Sequence, residues 1–360
     1  MNRVYNFNAG PSAMPLEVLR EVQEEFLDFN HTGMSVVEIS HRSAAYQAMQ
    51  DETETLLKDL LHIPDGYHVI FMQGGGSMQF ILHAQNFLRY KGAYVKTGSW
   101  SSKAQEAAKF YGATYELASG EAQNYKAIPL LTKDTVDLQP DTDYVYITSN
   151  ETIHGLEWKT FPKLGVPLIC DMSSDFLSRP VDVSQFDFIY AGIQKNVGPA
   201  GCVIAIVKDE FLEKARTDIP PYLQYATFVK KDSTYNTPPV FCIYFVNKVL
   251  HWLKNLGGLD VMEARNKKKA KLIYDVIDNS QGFYIGHAEK NSRSLMNVTF
   301  NLQTPELEKR FAEEATKADL IGLKGHRSVG GCRASLYNAV TPEGCEALVD
   351  FMQRFQTLHS

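Results

Sequence analysis

Along the first third of the chain the apolar positions change period at Pro64-Asp-Gly66, and the change marks a switch from helix to strand. Leu16, Leu19, Val22, Phe26 and Phe29 recur every three or four residues behind Pro15, which predicts an amphipathic helix opened by proline. A second helical pattern covers residues 43–63 and stops at Pro64-Asp-Gly66. Residues 67–72 then read as a strand running into Gly74-Gly-Gly-Ser77. Further short apolar runs at 93–97, 144–148, 166–170, 186–190 and 202–207 predict strands, with helices such as 101–111 between some of them. This alternation predicts an α/β fold with a mostly parallel sheet covered on both faces by helices. Residues 239–280 read as two long helices broken at Gly257-Gly258. Beyond them strands at 295–302, 320–323 and 333–337, a helix at 305–318 and a last helix from Pro342 predict a smaller α+β unit. The expected division is an N-terminal segment 1–15, a large domain 16–260 and a small C-terminal domain 261–360.

Composition narrows the class. The 360 residues are 44% hydrophobic and 22% charged, an ordinary globular balance for two domains. A net charge of −6 gives no global field to attract nucleic acid or an anionic membrane. The basic run Arg265 to Lys271 reads as a solvated helix face, as do Asp51, Glu52 and Glu54. Five cysteines without a CxxC pair read as reduced core residues, and no HExxH or paired-histidine spacing suggests a metal. With no signal-peptide pattern at the start, the expected location is the cytoplasm.

The candidate chemistry centres on Lys195. It follows an apolar strand in the small-residue setting Ala191-Gly-Ile-Gln-Lys-Asn-Val-Gly-Pro199. A lysine kept from water there can lose its proton and attack an aldehyde. Asp171 ends a second apolar strand 24 residues earlier, a distance that allows one crossover between parallel neighbours. An imine-forming amine and an anion for a pyridine nitrogen are what pyridoxal phosphate requires. Gly74-Gly75-Gly76-Ser77, between a strand and a helix, offers amides to a phosphate, although it matches neither GxGxxG nor GxxxxGK[ST]. Trp100 follows the next strand, where its indole can lie over a ring.

Asn6-Phe-Asn-Ala-Gly-Pro11, Ser40-His-Arg-Ser43, Gly74-Gly-Gly76, Thr97-Gly-Ser-Trp100, Gln194-Lys195-Asn-Val-Gly-Pro199 and Lys324-Gly-His-Arg327 together make the chain resemble the phosphoserine aminotransferases, end to end. The resemblance implies a fold type I, class V enzyme that uses pyridoxal phosphate and works as a homodimer. It implies amino transfer between glutamate and 3-phosphohydroxypyruvate, giving O-phosphoserine and 2-oxoglutarate in serine biosynthesis. Some members also make 4-phosphohydroxythreonine toward vitamin B6. By position, Lys195 would hold the cofactor and move the Cα proton, Asp171 would pair with the ring nitrogen and Trp100 would stack on the ring. Thr152 would bond the phenolic oxygen, and Gly76, Ser77 and Gln194 would hold the phosphate. Asn236 and Thr237 of a second subunit would complete that phosphate site.

Glutamate and phosphoserine are both anionic at the distal end, so one basic pocket must take a carboxylate or a phosphate in turn. His41-Arg42 and His326-Arg327 supply such a pocket if the fold brings them together, and Arg333 is the expected partner of the α-carboxylate. Two positions depart from the family pattern. Ser77-Met78 stands where many members have an arginine after the three glycines, and Ala9 where some have serine. Competing readings are a desulfurase using Cys332, an aminotransferase for small neutral amino acids, and a non-catalytic cofactor carrier. The set Arg42, His326, Arg327 and Arg333 argues against the last two, and no general base is evident beside Cys332.

Overall fold

The computed structural model describes residues 3–360; Met1 and Asn2, the start of the expected 1–15 segment, lie outside the described residues. Seven strands form the central sheet in the spatial order Tyr67–Gly74, Gly201–Lys208, Phe188–Gly192, Leu168–Asp171, Thr142–Thr148, Lys91–Lys96 and Ala113–Ser119. Gly201–Lys208 runs antiparallel to both its neighbours, and the other strand pairs are parallel. The carboxyl ends of the other six strands therefore share one edge. Strand Ala113–Ser119 had no clear apolar pattern because it is a half-covered edge strand whose side chains alternate irregularly.

Alternation along each strand divides the core in two. Val145 and Ile147 pack with helices Ala44–Leu61 and Val240–Asn255 on one face, while Tyr144 and Tyr146 face helices Gly76–Phe87 and Ser99–Ala108 on the other. The second face buries phenols, and each finds a polar partner. His83 Nε2 meets Tyr94 OH at 2.9 Å, Tyr94 OH meets Tyr144 OH at 2.7 Å, and Tyr146 OH meets Tyr190 OH at 2.7 Å. Burial draws the His83 imidazole down to about 4, so the ring is neutral at physiological pH.

The first helix is shorter than its apolar pattern, running Leu16–Glu25. Phe29 falls in a separate 3-10 turn, yet its ring stays buried and meets Tyr244 edge-on at 5.5 Å. Hydrophobic spacing reported burial correctly there and continuity incorrectly. The long helices Val240–Asn255 and Gly258–Asn279 part where Gly257 and Gly258 take φ of +105° and +81°, a conformation that favours glycine.

The C-terminal unit is a three-stranded antiparallel sheet of Tyr284–Gly286, Asn297–Leu302 and Cys332–Ser335, backed by Pro305–Lys317 and Pro342–His359. Both helices begin with a threonine N-cap followed by proline at the first turn. Thr304 accepts from Leu307 N and Thr341 from Gly344 N, each at 3.2 Å. The expected strand at 320–323 is only Leu320–Ile321, and it pairs in parallel with Tyr5–Asn6. Phe7 thus enters the C-terminal core, and the N-terminal segment crosses from that unit toward the central sheet. Helix Gly258–Asn279 also serves both cores, with Leu259 and Met262 in one and Ala270, Ile273 and Ile277 in the other. The expected boundary at 260 falls inside this continuous helix.

Its basic run is not wholly a solvated face. Lys267 pairs with Glu263 and Lys271 with Asp275 outside, but Lys269 is fully buried and donates to the carbonyls of Leu336, Tyr337 and Val340 at 2.8–3.0 Å. No helix of the described residues is long and apolar enough to cross a membrane. Phe311, fully buried and meeting Phe300, Tyr284, Phe351 and Phe355 edge to face at 5.1–6.0 Å, is the hub of the C-terminal core. Phe311→Ala is expected to cost about 3–5 kcal/mol, read as a lowered denaturant midpoint of the C-terminal unit; an unchanged midpoint would show that this cluster does not limit stability.

Candidate active site

Residues singled out from the sequence collect at the shared carboxyl edge of the sheet, where open α/β sheets present ligands. Asp171 closes its strand in register with Thr148 on one side and Tyr190 on the other. Lys195 follows Phe188–Gly192 in a turn closed by bonds from Val197 N and Gly198 N to Ile193 O at 3.1 and 2.9 Å. Asn196 braces that turn, donating to Phe176 O at 2.7 Å and accepting from Asn338 N at 2.9 Å. A cleft of about 240 Å³ results, walled by Gly76, Ser77, Trp100, Thr152, Asp171, Gln194 and Lys195 from the large unit and by His326 and Arg333 from the small one.

Lys195 Nζ donates to Thr152 Oγ1 at 2.6 Å and lies 5.3 Å from the centroid of the Trp100 ring. Burial draws its ammonium below the ordinary lysine value, and Arg333 pushes the same way against the pull of Asp171 and Glu151. Burial likewise raises the Asp171 carboxyl, opposed by Lys195 and by a hydrogen bond from Ser173 N at 2.8 Å. Both shifts favour the uncharged forms. These shifts ease loss of the amine's proton and place the acid to regain its charge beside a cationic partner.

The glycine turn fits an anion. Helix Gly76–Phe87 has no side-chain cap and no acidic residue in its first turn, so its leading N–H groups are free at the cleft. Gln194 Oε1 is buried without a hydrogen-bond partner. A Cβ on Gly192 would stand 2.9 Å from that oxygen and 3.2 Å from Gly76 N, and one on Gly76 would stand 3.2 Å from Ser173 Oγ. Backbone is packed here as closely as it can be, and only glycine leaves the amides open. An uncapped helix start, a buried acid and a buried lysine suit a phosphorylated pyridine aldehyde.

Several contributors had no sequence signal of their own. Ser12 Oγ donates to Lys195 O, Ser12 N donates to Gln194 O at 3.2 Å, and Tyr337 OH donates to Ala9 O at 2.8 Å, so segment 9–12 lies across the lysine turn. Glu151 is fully buried and accepts from Ser101 Oγ, Ser101 N and Trp100 N at 2.6, 2.9 and 3.2 Å. It caps the helix that carries Trp100. Adjacency to Thr152 was its only trace in the sequence.

Substrate candidates divide. Arg333, on strand Cys332–Ser335, donates from Nη1 to Thr152 O at 3.2 Å, and His326 stands beside it. Arg327 lines a separate groove against helix Pro305–Lys317. His41 and Arg42 precede helix Ala44–Leu61 and do not line the cleft, and Arg42 is exposed. Asn236 and Thr237 sit on an outer loop that Gln73 Nε2 holds through Thr237 O at 2.8 Å, also outside the cleft. Ser77 lines the cleft, whereas Met78 is exposed. Cys332 is buried and burial pushes its thiol well up, which removes the thiolate a desulfurase needs.

A parallel sheet with a lysine turn opposite a buried acid is the arrangement of a class of aminotransferases, and the family Aminotransferase class-V matches residues 4–348. Phosphoserine aminotransferase of Lysinibacillus sphaericus is 53% identical over 99% of both chains. The solved phosphoserine aminotransferase of Bacillus circulans subsp. alkalophilus is 52% identical over 99% of both chains, with a TM-score of 0.97. The structure of pyridoxal-phosphate-bound phosphoserine aminotransferase from Trichomonas vaginalis is 38% identical over 98% of this chain and 100% of that one, at 0.92. The chain belongs to the phosphoserine aminotransferase family of class V.

Glu151→Gln keeps the shape but replaces one acceptor oxygen by a donor facing donors. It is expected to cost about 1–3 kcal/mol and to broaden the near-ultraviolet dichroism of Trp100; native dichroism and stability would remove Glu151 as the support of that indole.

Proposed function

We propose that the chain transfers an amino group reversibly between L-glutamate and 3-phosphohydroxypyruvate, giving O-phospho-L-serine and 2-oxoglutarate in serine biosynthesis, with pyridoxal phosphate as cofactor. The observation that carries the reading is one cleft in which Lys195, Asp171, Trp100 and Arg333 meet an uncapped helix start. When bound, pyridoxal phosphate supplies an aldehyde that exchanges amines and a ring that withdraws electrons. The amides of Gly76 and Ser77 and the side chain of Gln194 would hold its phosphate. Asp171 would hold the proton of the ring nitrogen, Trp100 would cover the ring face, and Thr152 would bond the ring oxygen. Lys195 Nζ, whose ammonium burial draws below the ordinary lysine value, would take the proton from the substrate Cα and return it.

Arg333 would fork onto the α-carboxylate, and His326 would face the distal anion. A small neutral donor would still pair Arg333 through its α-carboxylate but would leave the distal group His326 without an anion, which sets the preference for acidic donors. Titration with O-phospho-L-serine is expected to change the visible absorbance of the bound cofactor, and L-alanine to leave it unchanged. Equal responses would remove the anionic-substrate reading while leaving the cofactor in place.

A homodimer is part of the reading. His41, Arg42, Arg327, Asn236 and Thr237 lie outside the cleft of their own chain, so a second copy would present them. Leu27, Met34 and Val37 expose apolar side chains just before His41-Arg42, and Tyr222 and Tyr235 do so beside Asn236-Thr237, as on a surface that pairs. A cytoplasmic setting is supported by five free cysteines, four of them buried. Mixing Lys195→Ala with Arg42→Ala tests the sharing. Each variant alone is expected to be inactive. Random re-pairing should restore about a quarter of wild-type activity if Arg42 serves the neighbouring site; no recovery would place Arg42 in its own chain's site or outside it.

A further inference from the structure

The ionisable side chains that line the cleft are Asp171, Lys195, His326 and Arg333. With Asp171 and Lys195 given to the cofactor and Arg333 to the α-carboxylate, only His326 is left for the distal anion of the donor. It brings little charge near neutral pH before an anion binds, because burial, then Arg333, Lys103 and Arg327, draw its imidazole below the ordinary value. The cavity of about 260 Å³ behind Arg333 adds none, since burial also draws down the imidazoles of His154 and His287 that line it. Ser77 stands where many family members carry an arginine, and a hydroxyl does not replace that charge. The lining of one chain therefore under-matches a phosphate dianion.

Lys103 lies at the rim where the charge is missing. It follows Trp100 by three residues on helix Ser99–Ala108, so the two side chains share a face. Its Nζ is 4.7 Å from the centroid of the Trp100 ring, the same ring that walls the cleft and has Lys195 Nζ at 5.3 Å. The indole gives an exposed and otherwise flexible ammonium a preferred place. Lys103 is also one of the cations that act on His326, which comes to the cleft from the small unit. Lys96, on the preceding strand, is held by Glu116 at 2.9 Å, whereas Lys103 has the indole and no carboxylate among the described residues. A surface lysine without an ion pair is ordinary; one held over the aromatic wall of the cleft and close to His326 is placed to meet an incoming anion.

We propose that Lys103 is a specificity-determining residue whose ammonium joins His326 on the distal anion and favours the phosphate of phosphoserine over the carboxylate of glutamate. The proposal rests on the reading of the donors given above. A dianion gains more than a monoanion from one added cation, and salt screens the gain.

The test uses the cofactor-loaded enzyme with Lys103→Met, which keeps a stem for the indole without the charge, and Lys103→Arg, which keeps the charge. At low salt Lys103→Met is expected to raise KM about five- to tenfold for O-phospho-L-serine and at most about threefold for L-glutamate, with kcat within about twofold of wild type. The difference should shrink at high ionic strength, and Lys103→Arg should return KM for phosphoserine to within about twofold of wild type. Cofactor affinity and the near-ultraviolet dichroism of Trp100 should match wild type in both variants. An unchanged KM for phosphoserine in Lys103→Met would overturn the proposal and leave the distal anion to His326 and to residues of a second copy. Equal losses for both donors with weaker cofactor binding would also overturn it, by showing that Lys103 acts through the indole. If wild type itself does not use phosphoserine, the donor reading falls and this proposal falls with it.

Discussion

A buried lysine has to be removed from water without being left unsupported, and much of the structure around Lys195 meets that constraint. Burial lowers the Lys195 ammonium, and Thr152 receives its Nζ. The turn that holds it is packed from four directions: by Ile193 beneath, by Asn196 reaching Phe176 and Asn338, by the N-terminal segment at Ser12, and by Trp100 across the cleft. Two of these supports lie in the turn itself, and the others bring in residues near 12, 100, 176 and 338. A lysine on a loop tip would have none of them and would stay charged.

The two cores are joined by the shared helix Gly258–Asn279 and also by buried polar side chains. Asn150 donates to Ser174 Oγ and Asn297 Oδ1 and accepts from Ser294 Oγ, linking the central sheet to the small sheet. Asn338 bonds Leu177, Asn196 and Asn266, and Lys269 gathers three carbonyls from the segment after Arg333. Such networks specify one arrangement, since a small slide would leave several buried groups unpaired at once. Arg333 and His326 therefore reach the cleft in a fixed relation to Lys195, which an apolar contact alone would not ensure.

Charge is distributed by task. The chain is acidic overall, yet the cleft and the cavity behind Arg333 gather histidines, arginine and free amides, and their acids are buried and specifically placed. Asp171 faces the lysine, and Glu151 caps the helix that carries Trp100. The net charge of −6 therefore does not describe the cleft, where Arg333 and free helix amides face inward.

The sequence alone determined the parts whose physics is local. Apolar runs located six of the seven central strands, the three-glycine turn marked an anion seat, and the strand-ending Asp171 and the small residues around Lys195 pointed to imine chemistry before any fold was known. The edge strand Ala113–Ser119 was illegible because one half-covered strand need not alternate cleanly, and the pairing of Tyr5–Asn6 with Leu320–Ile321 because two-residue strands carry no period. Only the tertiary structure decided that Glu151 supports Trp100, that Lys269 turns inward from a basic run, that Arg333 reaches the cleft while Arg42 does not, and that His154 and His287 line a second cavity beside Arg333. Burial and strand pattern depend on neighbours a few residues away; convergence depends on segments 50 or more residues apart, and residue type does not reveal which of them meet.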